Sequence, residues 1–185
     1  DEEEDIENFF NEADSIKLNE TAHRLLQKSS TRYVYDFNQF QKHAKPAVVA
    51  SITRETHHAQ LKKSEQSRLQ IGFEYTDGGG NVVMSKEQAN PGSAKKIRTN
   101  PDGSYSVEEI DTSKLNPPRF RWVGGGRIIR NNKGNPVKQY EPYFSVNPFF
   151  EDEDDLVETG VSPIFYYDSL SRFIRKDLAD GSFFR

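Results

Sequence analysis

The sequence predicts a mainly β chain, an antiparallel meander of hairpins preceded by one or two short helices. Three observations carry that prediction. Runs rich in β-branched and aromatic residues alternate at period two, as in a half-buried sheet. Short clusters of Asp, Asn, Gly and Ser separate them and supply turn backbone. The chain also carries 13 Phe and 8 Tyr, residues that stabilise cross-strand pairs.

The 185 residues suffice for one domain or for a large piece of a bigger one. The start at Asp1 and the finish at Arg185, inside an apparent strand, imply a segment cut from a longer polypeptide. Hydrophobic residues make up 34%, or roughly 40% with the 12 glycines, below the usual ~45–50%. Mean hydropathy is −0.85. The expected core is therefore thin, extended or incomplete. A net charge of −4 gives no global pull toward nucleic acid. The absence of cysteine excludes disulfides and thiolate chemistry. No apolar run approaches the ~18–20 residues that span a bilayer.

Residues 1–30 form the first expected unit, an acidic tail with short helices. DEEED is a solvated flank. Ile6, Phe9, Phe10, Ala13 and Ile16 fall on one helical face, and a second helix is expected from about Glu20 to Lys28 with Asn19 as N-cap. Packing on the chain's own sheet is the expected role, and partner binding is the alternative. Residues 31–185 form the second unit. TRYVYDFNQF (31–40) and AVVASITRET (47–56) read as antiparallel strands, with Tyr33, Tyr35 and Phe37 on one face. His57 and His58, adjacent on an extended chain, would point apart and cannot readily share a metal.

LQIGFEYT, DGGGN and VVMSKEQ then spell a hairpin. A phosphate loop would need a helix after the glycines, and a strand follows. Residues 90–104 hold two Asn-Pro turn signals around Lys95-Lys96-Ile97-Arg98, the expected mobile loop. Tyr105 to Ile110 is a strand. The run EDEDD at 151–155 reads as a solvated loop, because calcium ligation of the EF-hand kind needs alternate positions and an interior glycine. A last hairpin joins IFYY to RFIR, and Asp180-Gly181 turns again.

The centre is FRWVGGGRIIRNNKGNPVKQYEPY, residues 120–143: strand, glycine bend, strand, tight turn, strand. Its lone tryptophan, Trp122, is a packing anchor, and Gly124-Gly125-Gly126 is where a strand bends or bulges. Three turns share one pattern: Asp77 with Gly80, Asn131 with Gly134, and Asp168 with Ser171 and Arg172. In each, an Asx side chain can cap the turn and the fourth residue takes the tight backbone. Their spacings are irregular, so these are hairpins of one type with inserted loops. Such units must stack on neighbours to bury their faces.

Tyr167-Asp168-Ser169-Leu170-Ser171-Arg172 resembles the tyrosine-aspartate (YD, or Rhs) repeat, Y-D-x-x-G-R. FRWVGGGRIIRNNKGNPVKQYEPYFS followed by IFYYDSLSRFIRKDLADGSFFR is similar to the B component of bacterial Tc insecticidal toxin complexes. FEYTDGGGNVVMSKEQA resembles another hairpin of that family, and the likeness covers roughly residues 31–185. It implies a secreted wall segment of a hollow β-shell. With the C component as partner, such a shell encloses a toxic polypeptide, and the A component's channel delivers it. No cofactor, metal, catalytic residue, nucleic acid or direct membrane insertion is implied. Ser169, Ser171 and Asn81 depart from the repeat, where Pro, Gly and Arg are usual.

Two other function classes compete. Exposed aromatics such as Trp122, Tyr140 and Tyr143 would suit a glycan- or protein-binding module. Clustered carboxylates would suit a hydrolase, but 151–155 has no positioned partner. The cations Arg119, Arg121, Arg127, Arg130, Lys133 and Lys138 would be split between two faces by alternation, which disfavours nucleic-acid binding.

Overall fold

A computed structural model describes residues 2–63, 65–100, 105–151 and 163–185. Two helices open the chain, α1 (Glu2–Asn11) and α2 (Ser15–Leu26). Their boundaries differ from the sequence expectation. The acidic residues form the first turn of α1, where carboxylates complement the helix dipole. Asp14 interrupts the apolar periodicity that runs through Ala13 and Ile16. Its extended backbone leaves the helix, and its Oδ1 accepts from the N–H groups of Ile16 (2.8 Å) and Lys17 (3.4 Å). Asp14 is therefore the N-cap. Asn19, the expected cap, lies inside α2 and donates to the Ser15 carbonyl at 2.8 Å.

The described strands form two sheets, so the mainly β, antiparallel expectation holds. The larger contains β1 (Thr31–Asp36), β2 (Ala47–Arg54), β3 (Leu69–Thr76), β4 (Val82–Ala89), β5 (Ser93–Thr99), β6 (Tyr105–Asp111), β7 (Arg121–Gly125) and, later in the chain, β10 (Tyr143–Ser145). Its order is β1-β2-β3-β4-β7-β10-β5-β6. Only the β10–β5 contact is parallel. The smaller sheet, all antiparallel, runs β13-β12-β11-β9-β8, with β8 (Ile128–Arg130), β9 (Pro136–Gln139), β11 (Ile164–Tyr167), β12 (Phe173–Asp177) and β13 (Phe183–Phe184).

Three further expectations change. The strand expected through Phe40 stops at Asp36, and a short helix, α3 (Gln39–His43), follows. His57 and His58 begin a short helical turn instead of lying on a strand, and His57 Nδ1 is 2.9 Å from the Ser30 hydroxyl. Lys95-Lys96-Ile97-Arg98 is no loop: it lies in β5, with Lys95 opposite Glu109 and Lys96 opposite Glu108. The first turn signal, at 90–92, leads into this strand, and opposite charges across the pair, including Arg98–Glu108 at 2.5 Å, account for so polar a sequence. The second of those signals, at 100–103, lies mostly outside the described residues.

One face of the larger sheet carries the core. Alternation points Val48, Ala50 and Ile52 of β2 and Leu69, Ile71, Phe73 and Tyr75 of β3 inward. Phe9 and Phe10 of α1 and Leu18, Ala22, Leu25 and Leu26 of α2 cover them. Phe9 stacks on Phe73 at 5.5 Å, and Phe73 meets Trp122 edge-on at 5.4 Å. Each such fully buried aromatic contributes about 2–3 kcal/mol. Among the described residues, nothing comparable covers the smaller sheet. Ile164, Phe173, Ile174, Phe183 and Phe184 remain 42–60% exposed. Cations take the place of a second layer: Arg175 lies 4.6 Å from the Phe183 ring centre and Lys176 5.3 Å from that of Phe165.

Candidate functional site

Three turns share one backbone geometry. At the first, Asp77 N–H donates to the Asn81 carbonyl (3.0 Å), Gly80 N–H donates to the Asp77 carbonyl (3.0 Å), and Asp77 Oδ1 accepts from Gly79 and Asn81 N–H, both at 2.9 Å. Gly80 takes the left-handed φ of 79°. The second repeats this bond for bond. Asn131 and Asn135 pair at 2.9 Å, Gly134 N–H reaches Asn131 at 2.8 Å, and Asn131 Oδ1 accepts from Lys133 and Asn135, both at 3.0 Å. Gly134 has φ 80°. At the third, Asp168 Oδ1 accepts from Leu170 and Arg172, both at 2.9 Å, and Ser171 adopts φ 63°. The serine thus holds the left-handed backbone that glycine takes in the other two, a strained choice for a residue with a Cβ.

A fourth turn of this backbone escaped the sequence pattern. Leu178 N–H donates to Ser182 (2.9 Å), Gly181 N–H donates to Leu178 (3.1 Å), and Gly181 has φ 83°. Leucine occupies the usual Asx position, and the Asp180-Gly181 signal marked the turn instead: Asp180 Oδ1 accepts from the Ser182 N–H at 2.8 Å.

The residue closing each turn treats the cap differently. Asn81 Nδ2 donates to Asp77 Oδ2 at 3.1 Å, and Arg172 Nε donates to Asp168 Oδ2 at 2.7 Å. Asn81 therefore does the work of the expected arginine. Both aspartates are held below the usual carboxylate range, Asp77 first by the Asn81 N–H and Asp168 first by the Arg172 N–H. The turns also touch along one flank. Lys133 Nζ of the second donates to the Ser169 carbonyl of the third. Arg130, at the end of β8, adds a favourable charge beside Asp77.

Between the first and second turns, the glycine bend carries the chain from one sheet to the other. β7 ends in the larger sheet at Gly125, Gly126 takes φ 68°, and β8 begins in the smaller at Ile128. Tyr140 N–H closes the far side by donating to the Arg127 carbonyl at 3.0 Å.

Trp122 is fully buried, and Tyr140 and Tyr143 are 4% and 7% exposed. This overturns a binding module built on those three rings: the sheet register turns Trp122 and Tyr143 toward the core. Trp122 is enclosed as an anchor is, and its indole N–H has no partner among the described residues.

Sequence reasoning missed a buried polar cluster. Lys86 of β4, Gly124 of β7 and Tyr143 of β10 lie in one row across three strands. A Cβ on Gly124 would come within 2.6 Å of the Tyr143 ring, so only glycine lets the phenol lie across β7 toward Lys86. Residues 146–151 then fold back over this row. Tyr75 hydroxyl donates to the Pro148 carbonyl at 2.8 Å, and the Phe150 ring sits 5.5 Å from that of Tyr75. Glu151 ends the return. Its carboxylate accepts from Lys86 Nζ at 2.5 Å, from the Ser145 hydroxyl at 2.7 Å and from the Tyr143 hydroxyl. Lys86 is fully buried and Glu151 is 5% exposed. Burial, and secondly the Glu151 charge, drives the Tyr75 hydroxyl pKa upward. Glu151 is thus no solvated residue, whereas 152–155 lie outside the described residues. One signal could have found the pair: a lysine at position 86, where alternation from Met84 points inward.

The cluster fastens the fold-back and closes one end of the core. A cavity of about 450 Å³ opens beside it, lined by Phe10, His43, Lys45, Tyr75, Phe149 and Phe150. Among the described residues no group of three His, Asp or Glu side chains could hold a metal ion, and no helix is long and apolar enough to cross a membrane.

No family model and no curated protein matches the chain. Solved structures do. A crystal structure of TcdB2-TccC3 covers 83% of this chain at 20% identity and a TM-score of 0.64. A Tc holotoxin pore from Photorhabdus luminescens covers 75% at 22% identity and 0.59. TcdB2-TccC3-Cdc42 covers 75% at 21% and 0.56. This chain spans only 6–7% of the length of those chains. Its fold is accordingly similar to a short stretch of Tc toxin-complex chains.

Proposed function

We propose that the chain is a wall segment of a Tc toxin B-component β-shell of the Rhs (YD-repeat) type. With the C component, that shell encloses a toxic polypeptide for delivery into host cells. The segment works by its shape, without catalysis or cofactor, in an extracellular complex. Contact with an A-component channel comes through the longer chain, and no nucleic acid or membrane insertion is involved. The observation that carries this reading is the row of like turns that runs from the larger sheet (Asp77) onto the smaller one (Asn131, Asp168), whose Ile and Phe side chains stay half exposed. A sheet of that kind is completed by neighbours. The fold shared with chains of TcdB2-TccC3 and of the holotoxin supports it.

Cryo-microscopy of the full-length protein with its partner tests the reading. The expected result is a hollow shell with this segment in its wall. A solid, closed domain without a cavity overturns it.

A further inference from the structure

The cavity beside the fold-back measures about 450 Å³, within the ~300–1,000 Å³ typical of small-ligand clefts. Four segments distant in sequence wall it: the end of α1, α3 with its exit, the β2–β3 pair and the fold-back itself. Its floor is aromatic, made by Phe10, Tyr75, Phe149 and Phe150. Contacts outside the cavity hold these rings. Phe10 meets Phe9 edge-on at 5.4 Å and Phe73 at 6.2 Å. The Tyr75 hydroxyl is tied to the Pro148 carbonyl, and Arg127 lies 5.1 Å from the Phe150 ring centre. Phe149 N–H donates to Asn147 Oδ1 at 3.0 Å. The rings are thus fixed around an open space, preorganised for another ring to pack against them.

The rim is cationic. His43 and Lys45 both line the cavity, and neither side chain has a partner among the described residues. Their neighbour Lys42 is engaged by Glu7 at 3.2 Å. Among the described residues no carboxylate lines the cavity, and the buried Glu151 behind its wall is balanced by Lys86. The two amides on the wall are committed as donors: Gln39 Nε2 to Asp36 Oδ2 at 2.8 Å, and Asn11 Nδ2 to the Glu7 carbonyl at 2.9 Å. His43 and Lys45 are therefore the donors left for an anion, through an imidazole N–H and an ammonium. The end of α3 fixes the backbone that carries them. Ala44 takes the left-handed φ of 53° and donates to the Phe40 carbonyl at 3.0 Å, and Lys45 N–H returns to the Gln39 carbonyl at 3.4 Å. We propose that this cavity binds a small aromatic carboxylate of the arylalkanoic acid class. Its ring lies against Phe10, Tyr75 and Phe150, and its carboxylate is held by His43 and Lys45. Ring and charge are both required, because the floor offers an anion no donor and the rim offers a ring no apolar wall.

Saturation-transfer NMR on the full-length protein with 3-phenylpropanoate tests this. The expected result is transfer to the ring protons with a Kd of roughly 1 mM or below. Two probes separate the requirements: 3-phenylpropanamide keeps the ring without the charge, and acetate keeps the charge without the ring. Each should bind at least about tenfold more weakly than the acid. Lys45→Glu, at an exposed position with no partner to lose, should weaken 3-phenylpropanoate at least about tenfold, and Lys45→Arg should stay within about threefold of wild type. No transfer from 3-phenylpropanoate, an amide or acetate that binds as well as the acid, or a Lys45→Glu protein that binds like wild type overturns the inference. None of these results bears on the shell reading, which the hollow of the full-length complex decides separately.

Discussion

Replacing Lys86 with Met removes one half of the buried pair and leaves its shape nearly unchanged. Glu151 then stays 5% exposed with a carboxylate held only by the Ser145 and Tyr143 hydroxyls. Breaking a buried pair from one side costs about 3–5 kcal/mol. Two hydroxyl donors remain, so the expected cost lies near the lower end, about 3 kcal/mol. That is a large part of a typical domain stability of ~5–15 kcal/mol. The double variant K86M/E151Q removes both charges and should return to within about 1 kcal/mol of wild type. The coupling between the two sites is then roughly 2 kcal/mol or more. Urea unfolding followed by fluorescence of Trp122, the only tryptophan, measures all four corners of the cycle. A cost below about 1 kcal/mol for Lys86→Met, or additive single effects, would refute the view that this pair fastens the fold-back.

Ser171→Gly should raise the melting temperature, worth about 1 kcal/mol, because it relieves a left-handed non-glycine residue at φ 63°. Gly124→Ala should destabilise by about 1–3 kcal/mol in the same urea assay, since the new Cβ meets the Tyr143 ring at 2.6 Å. The caps Asp77 and Asp168 have folded pKa values depressed below the ordinary value. Their contribution is complete above the unfolded aspartate pKa of about 4 and is lost as pH falls through the folded values. Stability measured from pH 5 down to about 2 should decline accordingly, and Asp168→Asn should remove that residue's share of the slope. Asn131 makes the same cap without a titrating group.

The turns were legible in the sequence because everything that makes them lies within five residues. An Asx oxygen, a left-handed fourth position and the return strand need no distant partner. Trp122 was legible as an anchor from its place in an alternating strand. The misreadings have the opposite character. Glu151 sits in an acidic run that solvent would ordinarily claim, and its partner Lys86 lies 65 residues away. β5 looks like a loop until Glu108 and Glu109 are set beside its lysines. Asn19 is a good cap by residue type, but Asp14 comes first, and the hydroxyl of Ser15 behind it accepts from the Phe120 N–H at 3.1 Å.

The turns also bear on how much the sequence can vary along such a sheet. Four of them keep one backbone course while the residues around it differ: Asp with Asn, Asn with Asn, Asp with Arg, and Leu with Ser. What recurs is the pair of main-chain bonds and one residue at φ between 63° and 83°. Side chains reinforce that path in several interchangeable ways, and in the fourth turn the capping carboxylate comes from Asp180, two residues further on, which accepts from the Ser182 N–H at 2.8 Å. A chain built so can exchange most of its residues and still send each strand back in the same direction. Agreement in fold at only 20% identity is what such tolerance would leave behind.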